Sequence, residues 1–254
     1  NMKYIHEETV HNLKDPEIII PKILEIISPK SVVDIGCGIG TFLNVFNRYG
    51  ISNLMGLDGH WVDKSLLLKN IRANQFREID LEKEFSLEQK YDLVVSLEVA
   101  EHLSKASASN FVKNLVNAGE VILFSAAIPN QGGQNHLNEQ PISYWNHLFL
   151  KHNYVLHDVL RPIFWNTEIQ PWYKQNMVFY APKGFKFNKK LKTLDIENIV
   201  HPDIFKMRID QLNYEISNVY SGNITRIFAL KILIKSIIGI KFWSLLKKSL
   251  KTAN

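Results

Sequence analysis

Residues 31–40 read SVVDIGCGIG, with an acid, Asp34, followed by glycines at alternate positions, Gly36, Gly38 and Gly40. Glycine permits tight turns and leaves backbone amides bare. A ligand can therefore lie against this stretch, with the N–H groups of the helix-like TFLNVF just behind it. The spacing is G-x-G-x-G, not the G-x-G-x-x-G that cradles a pyrophosphate. Acids recur where later apolar runs end: Asp58 in NLMGLD, Asp80 in FREID and Glu98 after YDLVVSL. An acid about 20 residues past a glycine turn can accept both hydroxyls of a ribose. Glu101 and His102 stand three and four places beyond Glu98, on one face if a helix begins there. His136 lies in the amide- and glycine-rich stretch NQGGQNHLNEQP. A histidine can take a hydroxyl proton near neutral pH, worth about 10²–10⁴-fold in rate. Glu98, Glu101, His102 and His136 together also offer oxygen and nitrogen ligands for a divalent cation. The plainer alternative makes both histidines structural, His102 capping a helix.

These residues need elements that carry them to one place. PEIIIPKILEII (16–27) predicts an amphipathic helix opened by a proline. Strands are expected over Ser31–Ile35, Asn53–Leu57, Phe76–Ile79, Asp92–Leu97 and Val121–Ala126, with helices between them, including 107–118 and 143–153. YVLHDVLR (154–161) and QNMVFYAP (175–182) read as two further strands. Strands alternating with helices predict a parallel sheet with crossover helices, and ligands in such sheets bind at the carboxyl ends of the strands. Asp34, Asp58, Asp80 and Glu98 all fall at those ends.

In this order the segments resemble the motifs of class I S-adenosylmethionine (SAM) dependent methyltransferases, over about residues 15–182. The glycine turn resembles motif I, and YDLVVSLEVAEHL resembles motif IV in its E-x-x-E-H form. The resemblance implies an α/β fold: a seven-stranded, mostly parallel Rossmann-like sheet with helices on both faces and an antiparallel last strand. It places the methyltransferase domain at 1–182 and leaves 183–254 as a basic linker and helical C-terminal appendage. It implies SAM as cofactor, leaving as S-adenosylhomocysteine. Gly36, Gly38 and Gly40 would face its amino-acid end, with Asp34 and Cys37 beside them. Asp58 would hold the ribose and Asp80 the adenine, with Leu81 beside the ring. Gly59, Ser96 and Leu97 complete the expected cofactor site. His136 is the first candidate base, His102 the second, and Glu101 stands with them. The carboxylate–histidine quartet resembles the metal site of small-RNA terminal 2′-O-methyltransferases, but the reading adopted here assigns no metal.

The acceptor is signalled more loosely. FWNTEIQPWYKQN (164–176) mixes Trp165, Trp172 and Tyr173 with Gln170, Lys174 and Gln175, which suits a sugar ring, or else core packing. H-x-N-E-Q-x-x-S-Y-W followed by P-W-Y-K-Q-N is similar to methyltransferases of bacterial polysaccharide and secondary-metabolite clusters, which implies a sugar or glycan-precursor hydroxyl. Two rival expectations are RNA 2′-O-methylation with a divalent metal, and a non-catalytic SAM-binding or assembly subunit.

Composition bounds the rest. The chain has 254 residues, 46% of them hydrophobic, enough for one large α/β domain and an appendage. Its one cysteine, Cys37, makes no internal disulfide, and the polar first twenty residues resemble no secretory signal, so a cytoplasmic setting is expected. Net charge is +5 but divided: residues 1–150 hold 13 basic and 18 acidic side chains, residues 151–254 hold 17 and 7. From Asn223 onward there are seven Lys and Arg and no acid. His201–Ser221 and Arg226–Leu250 predict two tail helices, the second too lysine-interrupted to span a bilayer. The tail offers contact with a membrane surface at the periphery, a protein partner or a second subunit. No DNA partner is expected.

Overall fold

The computed structural model describes residues 11–189, 192–194, 198–221, 229, 230 and 233. The chain divides into two compact units, Asn1–Phe205 and Lys206–Asn254. In the first, α1 (Lys14–Ile26) buries Ile19, Ile20, Ile23 and Ile26, the apolar stripe read from the sequence, and leads into β1 (Ser31–Ile35). There follow α2 (Thr41–Arg48), β2 (Asn53–Asp58), α3 (Lys64–Asn70), β3 (Phe76–Glu78), β4 (Tyr91–Leu97), α4 (Ala108–Ala118) and β5 (Gly119–Ser125). Then come α5 (Ile142–Leu150), β6 (Tyr154–His157), α6 (Arg161–Phe164), α7 (Pro171–Asn176) and β7 (Val178–Pro182). The strands form one sheet in the order β3-β2-β1-β4-β5-β7-β6, and β7 alone runs against its neighbours.

Continuous apolar runs make the central strands, because a parallel sheet covered on both faces buries every position. Alternate residues feed opposite layers. Val32 and Leu93 join the core beneath α1 and α2 with Phe46 and Phe179. Val33 and Val94 join the opposite core with Phe111, Phe124 and Trp145 from the α4–α5 side. Strand order reverses between β1 and β4, and such a switch point opens a crevice at the carboxyl ends.

Three expectations are corrected. The run 154–161 stays extended only to His157. Asp158 then turns inward and accepts from the Arg161 guanidinium at 2.9 and 2.5 Å, with both side chains at most 2% exposed. Gln175 and Asn176 close α7 instead of opening β7. Finally, the stretch after Pro182 is more than a linker. Phe185 and Phe187 pack on the core, and the Asn188 N–H donates to the Ile26 carbonyl at 2.8 Å. Lys174 pairs with Asp203 at 2.8 Å, and Ile204 is buried.

The predicted helix at 201–221 is present as α8 (Pro202–Tyr220), whose residues through Phe205 belong to the first unit. In the second unit Lys206 pairs with Asp210 one turn on, and Tyr214 and Ile216 are exposed. The helix expected at 226–250 lies outside the described residues except for Ala229, Leu230 and Leu233. Among the described residues no helix is long and apolar enough to cross a membrane.

Candidate active site

The glycine turn closes onto the neighbouring strand. Gly36 and Cys37 donate to the Leu57 carbonyl at 2.8 and 3.2 Å. The Asp58 carboxylate accepts from Gly38 N–H at 2.8 Å and from Gly59 N–H at 2.6 Å. Gly36 has φ +90°, and a Cβ there would overlap Val99, so only glycine fits. Asp34 and Asp58 are both buried beside this turn. Burial, and then the Asp58 charge, push the Asp34 carboxyl up to about 8. Burial pushes Asp58 up to about 6, against the pull of bonds from Gly59, Gly38 and Trp61. Two crowded carboxyls in a low dielectric await a cation.

From this turn a cleft of about 1290 Å³ runs along the strand ends. Asp34, Gly36, Cys37, Gly38, Asp58, Asp80, Leu81 and Leu97 line it, together with Glu101, His102 and His136. Gly40 instead begins α2 and backs onto Leu67 and Ile71. Gly59 lies under the Trp61 ring, and Ser96 is fully buried. Asp80 is half-exposed; the Lys83 ammonium beside it holds its carboxyl below the usual range. Eight acids line the cleft, and no lysine or arginine stands among its described lining residues.

The catalytic candidates meet at the far end. Glu98 does not start a helix with Glu101 and His102: its N–H turns to Ser125, and only a short 3₁₀ turn, Ala100–His102, forms after it. Glu101, His102 and His136 nonetheless come together, one ligand atom from each lying within 4.8 Å of the others. Backbone geometry brings His136 there. Leu137 and Asn138 donate to the Glu101 carbonyl at 2.8 and 2.9 Å, pinning the 129–141 loop to the 3₁₀ turn. The Glu139 carboxylate folds that loop by accepting from Asn130 N–H at 2.7 Å, Gly132 N–H at 2.8 Å and His136 Nδ1 at 2.8 Å. Burial works against Glu139, but these bonds outweigh it and hold the carboxyl below its usual range. An ionised Glu139 fixes the proton on Nδ1 and leaves the Nε2 lone pair free to accept. His136 Nε2 lies over Gly133, where a Cβ would collide with the ring.

His102 differs. Its ring meets His136 edge-on at 4.9 Å, and burial, then the nearby His136, lower its pKa to about 4. Glu101 is wholly enclosed, and burial together with the Glu98 carboxylate pushes its pKa well up. The arrangement thus offers an oriented base, a neutral imidazole and a buried carboxylic acid.

Sequence reasoning missed the partners of these groups. Trp61, three residues beyond the Asp58 carboxylate it bonds, has no motif of its own, and Gln131 and Asn176 at Glu98 lie 33 and 78 residues away.

Residues 11–161 match the family model described as a methyltransferase domain. The chain is 26% identical over 220 residues to "Putative methyltransferase 235L" of Invertebrate iridescent virus 6, covering 80% of each protein. Among solved structures it is similar in fold to the small RNA methyltransferase HEN1, with 17% identity and a TM-score of 0.53, over 78% of this chain and 28% of that one. It is also similar to PKMT2 from Rickettsia typhi, with 13% identity and a TM-score of 0.50, over 70% of this chain and 54% of that one. It thus spans little more than half of one of these solved chains and under a third of the other. With more than half of its length matched by the family model, the chain belongs to the methyltransferase domain family and is a SAM-dependent methyltransferase.

Proposed function

We propose that the enzyme methylates a hydroxyl of a neutral, polyhydroxylated acceptor such as a sugar or glycan precursor. The observation that carries this reading is the lining of the cleft: eight acids, with burial raising the pKa of Asp34 and Glu101, and no lysine or arginine among its described lining residues. Such a wall repels phosphate and carboxylate and favours a cationic cofactor with an uncharged acceptor. Bound SAM supplies an electrophilic methyl on a sulfonium. Asp34, the turn amides and Asp58 would hold its amino-acid and ribose ends, and Asp80 with Leu81 its adenine. His136, oriented by Glu139, takes the acceptor's proton at Nε2. His102, with its lowered pKa, is the weaker base and serves to pack and orient. Trp172 and Tyr173 supply flat faces for a ring in the same cleft.

The Glu101–His102–His136 cluster favours a second reading, a divalent cation polarising the acceptor hydroxyl in RNA 2′-O-methylation. Glu98, the fourth expected ligand, is instead engaged by two amides. The test is transfer of labelled methyl from SAM to a panel of sugar glycosides, sugar nucleotides and short RNA, before and after chelation. Label in a neutral glycoside, unaffected by chelator, is expected; label in sugar nucleotides alone overturns the uncharged-acceptor reading. Label in RNA alone, lost on chelation and regained with magnesium or manganese, replaces the first reading with the second.

A further inference from the structure

Glu98 has a geometry that the roles above leave unused. Its φ is +55°, in the left-handed region, and among the described residues the other non-glycines there are Asn130, Asn135 and Asn153, a type that enters it cheaply. A glutamate so placed is strained and persists only where its surroundings insist on it. Here they do. The Glu98 N–H donates to the Ser125 carbonyl at 3.1 Å and the Ser125 hydroxyl at 3.0 Å. The carboxylate is then gripped at both oxygens: Asn176 Nδ2 donates to Oε1 at 3.0 Å, and Gln131 Nε2 donates to Oε2 at 2.9 Å. Asn176 Nδ2 also reaches Gln131 Oε1 at 2.9 Å, tying α7 to the 129–141 loop. Gln131 and Asn176 are buried, whereas Glu98 stays partly exposed in the cleft wall. Each carboxylate oxygen accepts from one amide, with the Glu101 carboxyl as a further neighbour, and a carboxylate oxygen can accept more than one hydrogen bond.

We infer that Glu98 binds the acceptor, its two carboxylate oxygens receiving the two hydroxyls of a vicinal diol, with Gln131 and Asn176 as positioning residues that fix the carboxylate plane. This rests on the sugar reading above and names the feature recognised within it. Adjacent ring hydroxyls are spaced to meet both oxygens of one carboxylate, and hydrogen bonds to an ionised acceptor are the strong kind. The amide grip removes in advance the rotamer freedom that binding would otherwise freeze. An anionic clamp also excludes a phosphate or carboxylate from the reacting ring.

The test uses the full chain loaded with S-adenosylhomocysteine. Saturation-transfer NMR reads the binding of methyl α-glucopyranoside, methyl α-mannopyranoside, methyl α-rhamnopyranoside and their monodeoxy analogues. The wild type should bind at least one of the three, with a signal several-fold above the analogue lacking one diol hydroxyl. Glu98→Gln should abolish that preference while calorimetry shows unchanged S-adenosylhomocysteine affinity. Asn176→Ala gives an independent readout even if Glu98→Gln does not fold. It removes the donor to Glu98 Oε1, so the preference for the intact diol should fall several-fold while calorimetry shows unchanged S-adenosylhomocysteine affinity. Equal binding by wild type and Glu98→Gln, or an unchanged diol preference in Asn176→Ala, overturns the clamp and leaves the sugar reading standing. A wild type that binds none of the pyranosides overturns both.

Discussion

The two buried carboxyls beside the glycine turn make cofactor affinity depend on pH, and the dependence can be worked out. Asp34 titrates near 8 and Asp58 near 6 in the cofactor-free protein, chiefly because burial penalises their charged forms. SAM brings an ammonium and a sulfonium into this site, and opposite charge favours ionised carboxyls. Binding must therefore expel whatever protons the pair holds, and affinity rises with pH while protons remain to be expelled. Between about pH 6 and pH 7, ionising Asp34 is worth about ninefold and Asp58 about twofold more, together about 17-fold or roughly 1.7 kcal/mol. Near pH 7 about one proton should leave per cofactor bound.

Calorimetric titration with SAM, repeated in buffers of different ionisation heat, counts that proton directly. Asp34→Asn should bind more weakly at neutral pH and keep only the roughly twofold dependence of Asp58. Equal wild-type affinity at both pH values with no proton released would refute the reasoning, since the carboxyls would then already be charged or would stay protonated. The same shifts set the sign for stability. A carboxyl raised in the fold binds more protons folded than unfolded, so its contribution falls as pH climbs from the unfolded value of 3.8 toward about 8. Thermal stabilisation by SAM should accordingly grow as pH rises from about 6 to 7.5.

Asp58→Ala removes the acceptor of two turn amides as well as the proposed ribose partner; SAM affinity by calorimetry should weaken by about 1–3 kcal/mol. His136→Ala should lower turnover by about 10²-fold or more with cofactor affinity unchanged, and His102→Ala should be milder; the reverse order in steady-state kinetics exchanges their roles. Asp158→Ala removes a carboxylate that accepts twice from the buried Arg161 guanidinium, and denaturant unfolding should show a loss of about 3–5 kcal/mol.

The glycine-turn end of the cleft was legible because its parts are local. A strand, three glycines and a helix contiguous in sequence make the turn, and Asp58 and Asp80 are the terminal acids of the next two runs. Periodicity and turn chemistry act over such distances. It failed where a buried pairing or packing decides a backbone state. Asp158 and Arg161, three residues apart, would sit on opposite faces of a strand, and their buried pair goes with the end of the strand at His157. Phe185 and Phe187 look like linker among lysines, yet aromatic area is too valuable to leave wet when a core lies within reach.

The acceptor half was legible only as residue types, because its function lies in pairings across the chain. His136 gains its orientation from a carboxylate three residues on, but its position from the backbone carbonyl of Glu101, 35 places earlier. Glu98 was read as a helical neighbour of Glu101 and His102. The structure gives it a left-handed backbone and hands its side chain to two amides, one on the 129–141 loop and one on α7. That backbone state turns the carboxylate toward the two amides while it still bears on the Glu101 carboxyl, so the chemistry open to the four residues is set by a backbone angle that no spacing rule encodes. The charge map follows the same division. The basic residues that raise the whole chain to +5 gather after residue 150, while the described wall of the cleft keeps only acids and histidines. Net charge read from the full sequence points toward anionic partners, whereas the described lining of the cleft carries acids and histidines and no lysine or arginine.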